Sequence, residues 1–348
     1  MNEQRNCQWR VAARPEGNVK PTDFQYAEEP IPEIGDGEFL LRTLYLGLRP
    51  VMRMYMSGVS AAGEDPLALG DVIHGRGVAQ VVASRHPDFS PGEVVHGQLG
   101  WQTWKASSGS EQERFIKMDY PDLSAALGVG VLGMNGYSAW GGLMQCGKPQ
   151  RGDVLVVSAA AGGVGSTVVQ MGKALGCTVI GIAGGPEKCA LVKSLGADEV
   201  IDYKSDDVAH QLTACCPQGI DVYFDNVGGE TLVACLDRLA MNARVVLCGS
   251  ISEYTRDEPF GLTNYTRLRR VNASMNGFFV YNFQPLFPQA TAELADLVRS
   301  GQLKPVQDVV EGFNAMPDAL ARLYDGRNVG VQICRVRNEE NEWAGASR

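Results

Sequence analysis

The stretch SAAAGGVGS, residues 158–166, has small residues at a spacing that can bind a pyrophosphate group. Ala160, Gly162 and Gly165 form the pattern A-x-G-x-x-G, with alanine in the first glycine position. Gly162 would let the backbone approach an anion, Gly165 would let a helix pack closely on a strand, and free N–H groups at the helix start would bind the anion. A tight turn without a ligand is the alternative, but an apolar run before the motif and a helical pattern after it favour a dinucleotide site.

The residues after the second strand of this unit indicate which dinucleotide to expect. An NAD site usually has an acidic residue there, which binds the ribose 2′-hydroxyl. The stretch IGIAGGPEKC, residues 180–189, instead has small residues followed by Lys188. A cation in the first turn of a helix opposes the helix dipole, and an anionic ligand would compensate. We therefore predict that Lys188 binds the 2′-phosphate of NADPH, with a hydroxyl contact from Tyr203; the alternative is a surface lysine with a half-buried tyrosine.

Metal-binding patterns are missing from the sequence. The nine cysteines include no C-x-x-C pair, and the adjacent Cys215 and Cys216 are badly spaced for zinc or a disulfide. The four histidines (His74, His86, His96 and His210) have no metal-ligand spacing either. We expect free thiols, as is usual in a reducing cytosol, and no metal. Without zinc to polarise an alcohol, an alcohol dehydrogenase is disfavoured.

Length and charge narrow the class of protein further. The chain has 348 residues, which suggests two domains, and a net charge of −9, which disfavours a broad nucleic-acid surface. Its longest apolar runs are interrupted by glycine or charged residues, so no transmembrane segment is predicted, and the polar N-terminus MNEQRNCQWR is unlike a signal peptide. We therefore predict a cytosolic protein with a small-molecule substrate and neither a nucleic-acid nor a membrane partner.

Two patterns of elements divide the chain. Up to about residue 125, the short strand-like segments 39–48, 77–84 and 93–99, separated by proline and glycine clusters, predict a compact β-rich domain. From about residue 127, apolar strands alternate with amphipathic helices, which predicts a parallel, doubly wound sheet. The predicted strands are 154–159, 178–183, 198–203, 220–227, 243–250 and 274–281, and the predicted helices are 166–176, 187–196, 206–215, 230–240 and 290–301. A strand at 308–313, a helix at 317–325 and a strand at 329–336 follow.

These motifs, with others, resemble a known family. The similar segments are VLGMNGYSAWGGL (131–143), AAAGGVGS (159–166), AGGPEKC (183–189), DYK (202–204), YFDNVGGE (223–230), CGSISEY (248–254), NGFFVY (276–281) and GRNVG (326–330). Over nearly its whole length the chain resembles the zinc-independent medium-chain dehydrogenases/reductases. The similar branch contains prostaglandin reductases of the leukotriene dehydrogenase type, plant double-bond reductases and the bacterial curcumin reductase.

The resemblance implies an α/β architecture of two domains. A GroES-like β-rich substrate domain would occupy residues 1–127, and a Rossmann domain with a doubly wound parallel sheet would bind NADPH in residues 128–314. Residues 315–338 would return to the first domain, and 339–348 would form a disordered tail. The resemblance also suggests a homodimer formed through the edge strand of the Rossmann sheet.

The resemblance implies specific cofactor contacts as well. Gly162, Gly163, Val164 and Gly165 would hold the pyrophosphate, in agreement with the motif, while Lys188 and Tyr203 would hold the 2′-phosphate. Asn226 would contact the nicotinamide half, and Asn328 would reach in from the tail. The residues expected to line the cofactor and the active-site cleft are Cys248, Gly249, Ser250, Ile251, Ser252, Tyr254, Phe278, Phe279 and Val280.

On the substrate side the chain departs from the family pattern. Where members have D-P-Y-M-R, this chain has RPVMRMYM (49–56), and Tyr55 is the tyrosine that could replace the missing one. The position of a suspected tyrosine proton donor, seven residues before the last G-F, holds Arg270, with Tyr265 nearby. Asn135 stands where members have proline. These changes concern the substrate side, whereas the motifs of the cofactor side are intact.

The implied reaction reduces a carbon–carbon double bond conjugated to a ketone or aldehyde. Hydride transfer to the β-carbon leaves an enolate, which needs a hydrogen-bond donor, and a proton must then reach the α-carbon. A neutral tyrosine suits this task, so Tyr254 is the first candidate, with Tyr55 and the cofactor ribose hydroxyl as others. Two alternatives stay open: a quinone reductase of the same superfamily, and an NADPH-binding sensor without turnover.

Overall fold

Short strands dominate the first 133 residues. The computed structural model describes residues 5–60, 63–254, 256, 258 and 260–337. The first elements are β1 (Arg5–Val11), β2 (Phe24–Pro30), β3 (Phe39–Gly47), α1 (Met52–Met56), β4 (Arg76–Ser84), β5 (Val94–Gln98), β6 (Trp104–Ser107) and β7 (Ile116–Lys117). The predicted β-rich region is therefore confirmed, although β1, β2, β6 and β7 were not among the strands predicted from sequence.

Strands and helices then alternate along the chain. The elements are α2 (Met134–Gly141), a π-helix (Gly142–Gly147), β8 (Val154–Val157), α3 (Gly163–Ala174), β9 (Thr178–Ala183), α4 (Pro186–Ser194), β10 (Glu199–Asp202), α5 (Val208–Cys215), β11 (Ile220–Asp225), α6 (Gly229–Leu236), β12 (Leu239–Leu247), α7 (Arg267–Arg270), β13 (Ser274–Gly277), a 3-10 helix (Val280–Leu286) and α8 (Phe287–Arg299). The last elements are β14 (Gln307–Glu311), α9 (Met316–Tyr324) and β15 (Val331–Arg335).

The chain divides into two units. The first contains Met1–Gly133, Gln307–Asn328 and Gln332–Arg348, and the second contains Met134–Val306 and Val329–Val331. These limits differ by a few residues from the predicted boundaries at 127 and 314, which stay a prediction. The predicted tail at 339–348 lies outside the described residues.

The first unit is built on a mostly antiparallel sheet in the order β14-β15-β3-β4-β5-β7, with β6 paired to β3. The strand β3 is central because it pairs with β4, β6 and β15. Its apolar side chains join the core of this unit, where Phe39, Trp101 and Phe313 are fully buried.

The second unit contains the predicted parallel sheet, in the order β10-β9-β8-β11-β12-β13. Its chain order is the doubly wound 3-2-1-4-5-6 arrangement, in which the connections turn in opposite directions on either side of the β8–β11 pair. Ligands bind such sheets at this switch point, outside the carboxyl ends of the strands. The fold therefore directs attention to the residues that follow β8 and β11.

One predicted strand is much shorter in the structure. Residues 274–281 were predicted as a strand, but β13 ends at Gly277 and a 3-10 helix begins at Val280. The partner strand β12 ends at Leu247, which pairs with Gly277, so no ladder is available beyond this point. Among the described residues, no helix is both long and apolar enough to cross a membrane.

Candidate functional site

A tight loop joins β8 to α3 and carries the predicted glycine motif. Because α3 begins at Gly163, the N–H groups of Gly163, Val164 and Gly165 belong to its first turn and have no acceptor within the helix. A Cβ added to Gly165 would lie 2.3 Å from the Ala159 carbonyl oxygen, so a side chain does not fit there. This agrees with the close packing predicted for Gly165.

Gly162 has a different environment. Apart from its chain neighbours, the only described atom within 4 Å of a Cβ added to Gly162 is the Ala159 carbonyl oxygen, at 3.1 Å. This position therefore has room on its outer side for a close ligand, as the motif predicted. The first residue of α3 is more crowded, since a Cβ on Gly163 would lie 2.3 Å from Nδ2 of Asn135, the residue that departs from the family proline.

The backbone conformation of the loop is fixed by two further features. Ala159 adopts a φ of +46°, in the left-handed region that residues with a side chain rarely occupy. The Gly330 N–H donates a hydrogen bond to the Ala161 carbonyl oxygen at 2.8 Å. The segment Val329–Val331 thus runs beside the loop within the same unit.

The end of β9 has small residues at the predicted place. A Cβ on Gly184 would lie 2.6 Å from the ring of Tyr203, so the tyrosine packs directly over this glycine. Tyr203 is 52% exposed, and its ring therefore forms part of the surface beside the β9–α4 turn, instead of being half-buried. Lys188 is the third residue of α4 and is half-buried. Lys188 in the first turn of α4 and Tyr203, which follows β10, therefore both lie beside the β9–α4 turn.

A carboxylate does occur near this turn, but it belongs to β10 and binds backbone. Asp202 Oδ1 accepts hydrogen bonds from the Gly185 N–H at 2.8 Å and the Lys204 N–H at 3.0 Å. These hydrogen bonds, that of Gly185 first, hold the pKa of Asp202 below its usual value. Asp202 therefore stabilises the turn as an ionised acceptor, a role that sequence reasoning missed.

At the switch point, the ends of β8 and β11 are joined by a buried polar network. Asp225 Oδ1 accepts hydrogen bonds from the hydroxyls of Ser158 at 3.0 Å and Tyr223 at 2.7 Å. It also accepts the N–H groups of Val227 at 3.0 Å and Gly228 at 3.1 Å. Asp225 is 1% exposed and Ser158 is fully buried. Neither was predicted as a site residue; the one signal was the position of the Asp at the end of an apolar strand, directly before Asn226.

The segment that follows β12 lies against the turn that follows β11. The Ile251 N–H donates to the Asn226 carbonyl oxygen at 3.3 Å, and the Ser252 N–H donates to the Val227 carbonyl oxygen at 3.1 Å. The predicted lining residues between Cys248 and Tyr254 are therefore brought together with Asn226. Burial raises the pKa of the Cys248 thiol to about 12, so this thiol is protonated and unreactive at neutral pH.

Tyr254 is held at the end of this segment. Burial raises the pKa of its hydroxyl, and a hydrogen bond from the Ser250 N–H opposes that rise. The hydroxyl also lies 3.7 Å from a Cβ added to Gly249. Tyr254 is therefore a neutral phenol at pH 7, and it hydrogen-bonds with both the backbone and the side chain of Ser250.

The other predicted residues occupy separate places. Phe278 packs on Gly142 and faces Phe283 at a ring-centroid distance of 5.6 Å, and it lines an open cleft of about 510 Å³ with residues of β13. Phe279 is 41% exposed, and Val280 begins the 3-10 helix.

Two predicted residues belong to the first unit. Asn328 is half-buried and follows α9. Tyr55 is 6% exposed, belongs to the core of that unit and packs edge-on against His74 at 5.3 Å.

The cysteines and acidic residues give no metal centre in the described part of the chain. No group of three or more His, Cys, Asp or Glu side chains there could hold a metal ion. All nine cysteines are free thiols.

Comparison with known proteins identifies relatives along almost the entire chain. Two family models match: "N-terminal domain of oxidoreductase" at residues 7–115, and "Zinc-binding dehydrogenase" at residues 163–298. An NADPH-dependent curcumin reductase from Escherichia coli is 37% identical over 98% of this chain and 99% of its own. A 2-alkenal reductase (NADP(+)-dependent) from Nicotiana tabacum is 35% identical over 89% of this chain and 90% of its own.

A solved structure is similar as well. The structure of CurA in complex with NADPH from Vibrio vulnificus has a TM-score of 0.88 and 37% identity, covering 95% of this chain and 99% of that one.

Proposed function

Because the chain belongs to the zinc-independent medium-chain dehydrogenase/reductase family, we propose that it reduces the C=C bond of α,β-unsaturated ketones and aldehydes with NADPH. The observation that carries the proposal is the match, over 98% of the chain, to a curcumin reductase at 37% identity. The relative that reduces 2-alkenals supports the same chemistry. The chain is an NADPH-dependent reductase of this family, as the same comparisons and the NADPH complex of the Vibrio vulnificus relative indicate.

The residues at the switch point fit NADPH. The open side of Gly162 and the first-turn N–H groups of α3 would hold the pyrophosphate. Lys188 and Tyr203 would hold the 2′-phosphate, at a turn whose nearby carboxylate, Asp202, already binds backbone N–H groups. Asn226 would contact the nicotinamide half, and the segment from Cys248 to Tyr254 and Phe278, Phe279 and Val280 would line the cofactor. The contact that the resemblance implies for Asn328 stays a prediction.

NADPH, when bound, supplies the hydride, and the chain must stabilise the charge that the transfer creates. We assign that role to Tyr254, since burial raises the pKa of its phenol and keeps it neutral, and it ends the segment that packs against the turn after β11. A donor aimed at a developing oxyanion contributes most where water is excluded, which agrees with the burial of this hydroxyl. Tyr55 is the second candidate donor, and its burial makes it the less accessible of the two.

A substrate panel tests the proposal. Each acceptor (an enone, an enal, a diarylheptanoid enone or a quinone) is mixed with enzyme and NADPH, and the loss of NADPH absorbance is followed. The same panel is run with NADH. We expect turnover of enones and enals with NADPH and much less with NADH. Turnover of quinones alone would replace the proposal with a quinone reductase. Tight NADPH binding without turnover of any acceptor would replace it with a non-catalytic binding protein.

We also propose that the protein is a homodimer joined through β13. This strand is the last of the parallel sheet, and in the described part of the chain no further strand pairs with its outer edge. An exposed strand edge is a template for pairing with a second chain. Light scattering after size exclusion should give twice the mass of one chain; the mass of a single chain would contradict the proposal.

A further inference from the structure

The switch point contains a hydrogen-bond relay that fixes one predicted cofactor residue. Ser158 follows β8 and Asn226 follows β11, so the two residues lie on either side of the crevice where a dinucleotide would bind. The Asn226 N–H donates to Ser158 Oγ at 2.8 Å, and Ser158 Oγ in turn donates to Asp225 Oδ1 at 3.0 Å. The serine hydroxyl therefore links the two loops through one atom.

The side chain of Asn226 is oriented by the same serine. Its Nδ2 donates to the Ser158 carbonyl oxygen at 2.8 Å. A carbonyl oxygen can only accept, so this contact determines which end of the amide is nitrogen and which is oxygen. The Oδ1 atom is thereby left as an acceptor on the side away from Ser158.

We propose that Ser158 is a positioning residue: it holds Asn226 so that Oδ1 accepts a hydrogen bond from the nicotinamide half of NADPH. This inference rests on the proposed function only for the identity of the cofactor. Asp225 has a supporting role, because its carboxylate orients the serine hydroxyl and binds the N–H groups of the Asn226–Gly228 turn. Without the hydroxyl, the Asn226 N–H and one acceptor site of Asp225 would lose a partner that is itself fully buried.

The chain offers a matched control in Tyr223. Its hydroxyl also donates to Asp225 Oδ1, at 2.7 Å, and its side chain is fully buried. Ser158→Ala and Tyr223→Phe therefore each remove one hydroxyl donor from the same carboxylate oxygen, but only the serine contacts Asn226. A general loss of stability should affect both variants.

The test compares two ligands by calorimetry, so that it does not depend on turnover. NADPH contains the nicotinamide half, whereas adenosine 2′,5′-bisphosphate contains only the adenine half with its 2′-phosphate. In Ser158→Ala we expect the Kd of NADPH to rise by about tenfold, with the Kd of the bisphosphate unchanged, a factor typical of one lost hydrogen bond to a buried group. In Tyr223→Phe both Kd values should stay within about twofold of the wild type.

Three results would overturn the proposal. The Kd values of both ligands could rise equally in Ser158→Ala, the Kd of NADPH could rise equally in the two variants, or neither Kd could change in Ser158→Ala. If the alanine variant does not fold, Ser158→Cys keeps nearly the same volume with a weaker donor, and we expect a smaller rise in the Kd of NADPH alone. Absence of enone turnover in the wild type would refute the proposed function but leave this comparison of Kd values intact.

Discussion

Lys188→Ala should remove most of the enzyme's preference for NADPH over NADH. The lysine is the third residue of α4 and is half-buried, which places its charge beside the turn over which Tyr203 packs. A hydrogen bond to a charged group contributes about 1.5–3 kcal/mol, whereas a fully exposed ion pair contributes about 1 kcal/mol or less. For a half-buried lysine and a phosphate we take about 2 kcal/mol, which corresponds to about a thirtyfold loss in kcat/KM for NADPH. NADH lacks the 2′-phosphate, so its kcat/KM should not change.

The assay measures kcat/KM with both cofactors at low and high ionic strength. Lys193→Ala is the matched control, since Lys193 lies in the last turn of the same helix and donates to the Asp198 carbonyl oxygen. The control should change neither value by more than about twofold. Equal losses for NADPH and NADH in the Lys188 variant, or the same loss in the control, would refute the assignment of Lys188 to the 2′-phosphate.

Three further predictions concern the loop, the core and the catalytic donor. Gly165→Ala should abolish measurable NADPH binding and lower the free energy of unfolding by about 1–3 kcal/mol, because its Cβ would meet a backbone carbonyl oxygen at 2.3 Å; Gly261→Ala, where a Cβ has open space, should do neither. Burial and two nearby guanidinium groups lower the pKa of His96 to about 3 from 6.5, so its contribution to stability is complete above pH 6.5 and is lost as the pH falls toward 3. Between those pH values, the free energy of unfolding should fall less steeply with decreasing pH in His96→Gln than in the wild type. An unchanged slope would contradict this. Tyr254→Phe should lower kcat by about a hundredfold with the Kd of NADPH unchanged, while a larger effect of Tyr55→Phe would transfer the role to Tyr55.

Much of the second unit could be predicted from sequence because its signals are local. Each apolar strand is followed by a helix, and strands that alternate with helices form parallel sheets. The glycine loop is a local signal too, since Gly162 and Gly165 are needed within a single turn. The end of β13 has no such local signal. The strand ends at the Leu247–Gly277 pair because its partner β12 ends there, and β12 is a separate part of the chain.

In the first unit, β1 was missed because its pattern is polar. Asn6 and Gln8 are buried in this strand, and both donate to Oε1 of Gln102, at 3.1 and 3.2 Å. A polar residue in a sequence predicts an exposed position unless a buried hydrogen-bond partner is known. Here that partner, Gln102, lies more than 90 positions away. The Ser158–Asp225 pair was missed for the same reason, since the two residues are 67 positions apart and meet only through the pairing of β8 with β11.

The missing acidic residue at the end of β9 now has a structural counterpart. In an NAD site that carboxylate would bind the ribose, and here Ala183, Gly184 and Gly185 occupy the place. The nearest strand end, that of β10, carries Asp202, but its Oδ1 is bound by the N–H groups of Gly185 and Lys204. Asp202 therefore holds the turn through the Gly185 N–H, and Tyr203, the next residue, packs over Gly184. A turn of this kind would present a phenol and a lysine to the ribose, and both suit a 2′-phosphate better than a free 2′-hydroxyl.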